Sequence, residues 1–453
     1  MTRCSIVPPH VLAALARSAE AEPALVAART LAIDASLRHA GRLVGPRPSV
    51  IPTQPSLEQG PQRTIHDAGG SEVLPGAVVR SEGEPPVGDP AVDEAHDGLG
   101  LTWELWAREY GRDSLDGAGM PLVATVHYAD RYDNAFWDGS QMVFGDGDGE
   151  IFTRFTASLD VIGHELAHGV TEHTAALVYR GQSGALNEHV SDVFGVLVKQ
   201  RHLGQAADEA DWLIGAELLT ASVQGQALRS MAAPGTAYDD PRMGKDPQPA
   251  HMDDFVRTSD DNGGVHINSG IPNKAFHLVA TAIGGPAWQA PGLIWCDVLT
   301  GEISADCDFA TFAALTVSAA QARFGDDSMQ AQAVADAWQQ VGVTAGAGGS
   351  VPADETPVDD GALLRLSRSG GVAGLTRSRE LSLGELPERD ALAFRSLIEG
   401  PQLPRLAVEE SSRPDVLCYG LRCERPALDV QVTESVLPRA TRDLFERTLR
   451  REA

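Results

Sequence analysis

The sequence has 453 residues, 43% hydrophobic and 22% charged, an ordinary globular balance with enough apolar material for two or three domains. A formal net charge of -27 argues against nucleic acid or an anionic membrane as a partner, and no apolar run is long enough to span a bilayer. The charge is uneven: residues 362–453 hold 15 Arg, no Lys and 14 acidic residues, a net of +1 against -28 for the remainder, so the tail reads as a separate module. Five cysteines, an odd number, show no metal-ligand spacing and are expected to be reduced; Cys418 and Cys423 would face opposite sides of one strand.

Residues 1 to about 40 are expected to be helical, because Val11, Leu12 and Leu15, then Leu25, Val26, Leu31, Ile33 and Leu37, recur at roughly helical spacing. No export leader is readable there, since an unbroken apolar core before a small-residue cleavage site is missing. The Pro- and Gly-rich GRLVGPRPSVIPTQPSLEQGPQR that follows reads as an exposed linker. From about Thr64 the pattern gives strands with Gly turns, then a helix from Ala91 to Gly111. VATVHY and SQMVF alternate as two strands, with DNAFWDG between them as a turn or edge.

The stretch GHELAHGVTEHTAALVYRGQSGALNEHVSD carries the chemistry. His164 and His168 lie four apart, on one face of a helix, so both imidazoles can reach one ion. Glu165 sits beside the first as a candidate proton acceptor. Glu188 comes after room for a turn and a second antiparallel helix, and Asp192 is one turn further on the same face. Two neutral nitrogens, one carboxylate and an open fourth position make a catalytic zinc site, since a structural site would close all four. An amphipathic surface helix is the bland alternative, and NEHVSD at this distance disfavours it. Beyond lie QALRSMAAPG with Arg229, the Pro-rich loop DDPRMGKDPQPAHM, and DDNGGVHINSGIPNKAFHLVATAIGG, where an apolar helix follows. Residues 285–342 are helical in pattern, and TAGAGGSVPADETPVDDG is a flexible acidic linker. The tail reads as ββαββα: LLRLSRSGGVAGLTRSRELSL, PERDALAFRSLIEG, VLCYGLRCE, ALDVQVTE and PRATRDLFERTLRR.

H-E-L-A-H with G-A-L-N-E-H-V-S-D, N-A-F-W-D-G-S-Q-M-V-F-G-D-G and N-G-G-V-H-I-N-S-G-I-P-N-K-A resembles the thermolysin family of zinc endopeptidases. I-V-P-P-H-V-L resembles the Pro-Pro motif in short propeptides of its protealysin-like branch. S-G-G-V-A-G with the tail's layout resembles emfourin, a small inhibitor of such peptidases; a generic α+β accessory domain is the alternative. The resemblance implies an α+β, two-lobe metallopeptidase with a zinc cleft between the lobes. Residues 1–62 would be propeptide and linker, 63–200 a β-rich lobe ending in the H-E-x-x-H helix, 201–344 a helical lobe, 345–361 a linker, and 362–453 the emfourin-like domain. It further implies zinc ligands His164, His168 and Glu188, with Asp192 and Asn187 holding the histidines. Glu165 would be the base, His266 and Tyr179 the oxyanion donors, and Asp261 the residue orienting His266. Asn134 and Ala135 would bind the peptide backbone, Trp137 would line the cleft, and Arg229 would bind the carbonyl beside the scissile bond. Phe136 is better read as core. Phe152, Phe155 and Val161, assigned to the strand before the helix, with Leu218 and Leu228, would form an apolar S1′ pocket.

The expected activity is zinc-dependent cleavage before bulky hydrophobic residues, in an enzyme made as a zymogen and restrained by its fused tail. The alternative is that the tail recruits a substrate or partner. Cys4 could cap the zinc as a thiolate, although an incidental cysteine is the plainer reading. The family's double calcium site is expected to be absent: Asp160 and Asp211 remain, but Lys199, Leu213 and Ala216 stand where other acids would be. The Lys199 ammonium is expected to pair with Asp160 or Asp211 instead. Partners are then peptide or protein substrates and, in cis, the propeptide and tail. The family implies secretion, while the missing leader leaves a cytoplasmic location as the alternative.

Overall fold

The computed structural model describes residues 5–41, 60–344, 363–369, 377–387, 390–391, 394, 397, 417–423, 428–433 and 439–450. Cys4, most of both linkers and most of the S-G-G segment lie outside these. The chain divides into two units, Met1–Gly349 and Ser350–Ala453.

In the first unit the alternating stretches build a mixed sheet. Strands β1 (Arg63–Asp67), β2 (Ala77–Ser81), β3 (Leu122–Val126), β4 (Ala135–Trp137) and β5 (Met142–Phe144) lie in the order β2-β1-β3-β5-β4. β1 pairs in parallel with β3 and β3 with β5, while β4 runs antiparallel to β5. The N-A-F-W segment is therefore an edge strand, with one line of backbone groups available to another chain. Phe136 packs with Tyr128, Tyr132 and Val143, in the core position expected of it.

Helix α3 (Pro90–Glu104) starts where the Asp89 side chain accepts the Ala91 and Val92 N–H groups and Pro90 takes the first turn. Helices α4 (Leu159–Glu172) and α5 (Gly181–Leu203) form the centre of the unit, and α5 stops at Gly204 in the left-handed conformation. Two glycines set their spacing. A Cβ on Gly163 would lie 3.1 Å from the Gly195 Cα, and one on Gly195 would lie 2.4 Å from the Asp160 carbonyl oxygen and 3.1 Å from the His164 nitrogen. The backbones are thus close enough to bring side chains of both helices to a common point. Two short hairpins follow, β6 (Leu213–Ile214) with β7 (Arg229–Ser230) and β8 (Asp239–Asp240) with β9 (Gly244–Lys245).

Helices α6 (Asp261–Asn268), α7 (Gly270–Ile283), α8 (Ala290–Thr300), α9 (Phe309–Phe324) and α10 (Met329–Gln340) make the helical lobe. Trp295 stacks on Trp338 at 6.4 Å, and Phe276 and Phe312 pack edge-on against Trp295. The N-terminal prelude belongs to the same unit: after an extended stretch come α1 (Pro9–Leu15) and α2 (Ala21–Gly41), and Ile6, Val7, Val11, Leu12 and Leu15 are buried in the common core.

The second unit is an antiparallel sheet of β10 (Leu363–Ser369), β11 (Arg377–Ser382), β12 (Cys418–Cys423) and β13 (Leu428–Thr433) in the order β11-β10-β12-β13. Residues 390, 391, 394 and 397 are helical, and α11 (Arg439–Arg450) closes the chain, in the ββαββα order. Leu364, Leu366, Phe394, Tyr419, Leu421 and Phe445 give it a core of its own. None of the described cysteines is in a disulfide.

Candidate active site

His164 and His168 on α4 and Glu188 on α5 meet in the interior. The two Nε2 atoms are 3.1 Å apart, and Glu188 carboxylate oxygens lie 3.6 Å from that of His164 and 3.5 Å from that of His168. Both Nδ1 atoms face away: His164 bonds Asp192 Oδ1 at 2.8 Å, and His168 bonds Asn187 Oδ1 at 2.8 Å and the Ser191 hydroxyl at 3.0 Å. A carboxylate can only accept, so His164 Nδ1 carries the proton and its Nε2 offers a lone pair inward. Two imidazole nitrogens turned toward one carboxylate at these spacings suit a small divalent cation, and the donor set is that of zinc. Burial pushes the His168 pKa down to about 4, which keeps it neutral for ligation. Burial alone would raise Glu188, but His266, His168, His164 and Arg229 override it and hold that carboxylate at about 2.

Asp192 is held from three sides. Besides His164 it accepts Arg229 Nε and Nη2 at 2.9 and 2.8 Å and Asn273 Nδ2 at 2.8 Å. Burial would raise its pKa, and Arg229 and His164 keep it far below the usual carboxylate range. Arg229 is 1% exposed, so it is a buried ion-pair partner rather than a solvated loop residue. The pairing of Arg229 with Asp192 and the bonds made by Ser191 and Asn273 are not legible in the sequence, because the partners come from separate elements. Gly163 and Gly195 were findable: a glycine inside a strong helical pattern signals close packing. Gly195→Ala is expected to force α4 and α5 apart, lowering the thermal midpoint and raising the zinc dissociation constant by at least about tenfold, on the scale of damage to groups supporting a ligand. A circular dichroism melt and a chelator competition would check it.

Glu165 is fully buried and takes the Trp137 N–H on Oε2 at 3.1 Å. Burial, then the nearby Glu188, raise its pKa well above the usual carboxylate range. His266 reaches the cluster from an unusual turn. Asp261, Asn262, Gly263 and Gly264 all have positive φ, and this left-handed run folds Asp261 back to accept the His266 N–H at 2.9 Å and to bond Nδ1 at 2.7 Å. Burial lowers the His266 pKa, but Asp261 and Glu188 outweigh it and lift it to about 9, so both ring nitrogens are donors at neutral pH. Its Nε2 is 3.2 Å from the Tyr179 hydroxyl, which itself bonds Glu188.

Trp137 sits on the edge strand with its indole N–H on Glu172 at 3.1 Å. Phe152, Phe155, Val161, Leu218 and Leu228 are all buried, but the first three are not on one strand as expected. Phe152 makes an isolated bridge to Leu219, Phe155 opens a 3-10 turn, and Val161 is in the first turn of α4, because Asp148 and Arg154 turn the chain before a strand can form. Leu218 and Leu228 converge on Gly215, where a Cβ would meet both at 3.2 Å. Lys199 is paired on three sides, with Asp160 and Asp211 at 3.2 Å and Glu217 at 3.3 Å. The third carboxylate, one residue after Ala216, was missed in the sequence.

The prelude runs through this site. The Ile6 N–H donates to the Ala135 carbonyl at 3.1 Å and the Val7 N–H to Asn134 Oδ1 at 2.9 Å. Asn134 Nδ2 donates to the Val7 carbonyl at 3.3 Å and Arg229 Nη1 to the Ile6 carbonyl at 3.2 Å. From α2, Asp34 accepts the Tyr132 hydroxyl and, at 2.9 Å, Asn134 Nδ2.

A sheet-edged lobe and a helical lobe around a buried His-His-Glu cluster that fits zinc define a metallopeptidase. Models of two domains match in succession: the thermolysin metallopeptidase catalytic domain over residues 80–172 and its alpha-helical domain over 175–343. An extracellular metalloprotease of Pectobacterium carotovorum subsp. carotovorum is 50% identical over 341 residues, 75% of this chain and 96% of that protein. Protease PrtS of a Photorhabdus species is 52% identical over 284 residues, 62% of this chain and 76% of its own length. Among solved structures, the precursor of protealysin, a metalloproteinase from Serratia proteamaculans, superposes with a TM-score of 0.69 and 52% identity over 75% of this chain and all of that one. The chain belongs to the thermolysin metallopeptidase family and is a zinc metalloendopeptidase. Residues 366–449 match the Emfourin model, so the peptidase is fused to an emfourin domain. No described helix is long and apolar enough to cross a membrane.

Proposed function

We propose that the described chain is the latent form of a secreted endopeptidase that cleaves before bulky apolar residues. The observation that carries this is the backbone of Ile6 and Val7, bonded along the β4 edge by Ala135, Asn134 and Arg229 as an added strand would be. A substrate cannot occupy the edge while the prelude does. Cleavage within residues 42–59 by an external protease is expected to raise hydrolysis of a furylacryloyl peptide at least about tenfold once the prelude leaves. Unchanged turnover after complete, mass-verified cleavage and removal of the prelude would sink the latency reading. Release should be favoured by acid. His10, 3.3 Å from the Tyr238 hydroxyl and facing Asp261, His266 and Arg229, has its pKa pushed by burial from 6.5 down to about 4. Docking therefore excludes a proton: it is at full strength above about 6.5 and weakens as pH falls toward 4.

In the open enzyme, His164, His168 and Glu188 would hold zinc, which when bound would supply a Lewis acid for the scissile carbonyl and for water. Glu165 takes the water proton and delivers it to the leaving nitrogen. Tyr179 and His266 donate to the oxygen that gains charge, and Asp261 keeps His266 protonated for this. Asn134, Ala135 and Arg229 align the peptide backbone, and Trp137 borders the cleft. Asp192 and Asn187 keep the zinc-binding imidazoles in the tautomer that ligates. Phe152, Phe155, Val161, Leu218 and Leu228 supply the apolar wall that selects the residue after the cut, and the buried Ile6 supports that preference. The extracellular relative supports secretion of this chain.

The emfourin domain restrains the peptidase, and its separate core supports treating it as a removable module. Deleting residues 345–453 from prelude-free enzyme is expected to raise small-peptide turnover. Unchanged small-peptide turnover with altered protein cleavage would instead make the domain a recruiter. The cluster of Lys199 with three acids supports a calcium-free fold in this region, with the ammonium in place of the ions.

A further inference from the structure

We propose that the Ser5–Ile6 peptide bond is itself a substrate of this active site, so that the chain cuts its own prelude there and leaves a polypeptide beginning at Ile6. The inference rests on the peptidase reading above and goes beyond occupancy of the cleft. Ile6 and Val7 are fully buried, and all four of their backbone polar groups are taken by β4 and Arg229. The chain is thus fixed in direction and in register. The Ile6 nitrogen, which would leave when this bond breaks, donates to the Ala135 carbonyl at 3.1 Å. Ala135 is two residues from Trp137 on β4, and the Trp137 N–H holds Glu165 Oε2 at 3.1 Å, so the leaving nitrogen and the proposed proton donor border the same stretch of the strand.

The register cannot slide toward the C-terminus. Moving one residue would set Pro8 against Asn134 Oδ1, and moving two would set Pro8 against Ala135; proline has no N–H for either bond. Pro8 also caps α1 in an extended conformation, and Pro9 starts that helix, so the next residues turn away from the edge. The four backbone bonds of Ile6 and Val7 thus set Ser5–Ile6 at the position beside Glu165, and Pro8–Pro9 bars a shift toward the C-terminus. Hydrolysis there consumes one water. The bond between the Ser5 carbonyl carbon and the Ile6 nitrogen breaks, Ser5 gains a carboxylate, and the nitrogen takes the proton from Glu165 to become a new amino terminus. The cut does not open the site, because the bonds from Asp34 to Tyr132 and Asn134 and the buried face of α1 still hold the prelude.

The experiment is intact-mass and N-terminal analysis of the zinc-loaded full chain during incubation. The expected result is first-order conversion to a species beginning at Ile6, with a half-life unchanged over a tenfold range of protein concentration. Conversion should be absent in Glu165→Gln and slowed at least about tenfold in Ile6→Asp. Portions of each sample, opened within residues 42–59 and freed of the prelude, are assayed on a furylacryloyl peptide. An uncut Ser5–Ile6 bond in a sample that then hydrolyses the peptide overturns self-cleavage and leaves the peptidase assignment standing. A sample inactive on both loses both readings. A rate proportional to protein concentration, or a cut at another bond of the prelude only, also overturns it.

Discussion

Glu165→Gln is expected to lower kcat of the open enzyme by about 10³-fold, within the roughly 10²–10⁴-fold that a positioned acid–base group contributes. KM should change little and zinc content not at all, because the residue is not among the three donors that face one another. The neutral amide is nearly isosteric and can keep a bond with the Trp137 N–H on its oxygen. It also replaces a carboxyl whose ionised form burial and the nearby Glu188 disfavour, so the thermal midpoint should stay or rise. Glu188→Gln should behave differently, losing zinc together with activity. Peptide kinetics paired with metal analysis separates the two. If Glu165→Gln kept activity within about tenfold of the parent, the proton would have to travel through another group.

Lys199→Met is expected to destabilise the catalytic unit by about 3–5 kcal/mol, the range for breaking a buried ion pair from one side. Asp160 has no exposed surface and would keep only the Ser158 hydroxyl at 2.7 Å and the Gly215 N–H at 3.1 Å. Glu217 and Asp211 are nearly half exposed and would turn to water, so Asp160 carries most of the loss. The thermal midpoint should fall by roughly 5–10 °C. Lys199→Glu gives the converse: Asp160, Asp211 and Glu217 joined by a fourth carboxylate repel one another without a cation and can hold calcium with one. The parent midpoint should be indifferent to millimolar calcium, and that of Lys199→Glu should rise with it. A large calcium-dependent rise in the parent would refute the replacement of the ions by the ammonium.

Much of the site was legible because its chemistry is locally encoded. His164, Glu165 and His168 fall within five positions, and Asp261 and His266 within six, so helical period and a short turn are enough to relate them. Asn134 to Trp137 read as a turn or an edge, and the strand order places it at the edge, with Phe136 in the core as expected. The strand proposed for Phe152 to Val161 failed because side-chain bonds from Asp148 to three successive N–H groups turn the backbone, and apolar alternation does not register that competition.

The sequence by itself determined that His164, Glu165 and His168 share one helix and that the tail mixes strands and helices, since each depends on residues close in the chain. Tertiary structure decided the pairings between distant positions, of which that of Lys199 with Asp160 was expected from the resemblance. Arg229 meets Asp192 across 37 positions, Lys199 meets Asp160 across 39, and Val7 meets Asn134 across 127. No local periodicity links residues so far apart. Their meeting depends on the close approach of α4 and α5 at Gly163 and Gly195, and on the exposed edge of β4, which accepts whichever extended chain can satisfy its hydrogen bonds.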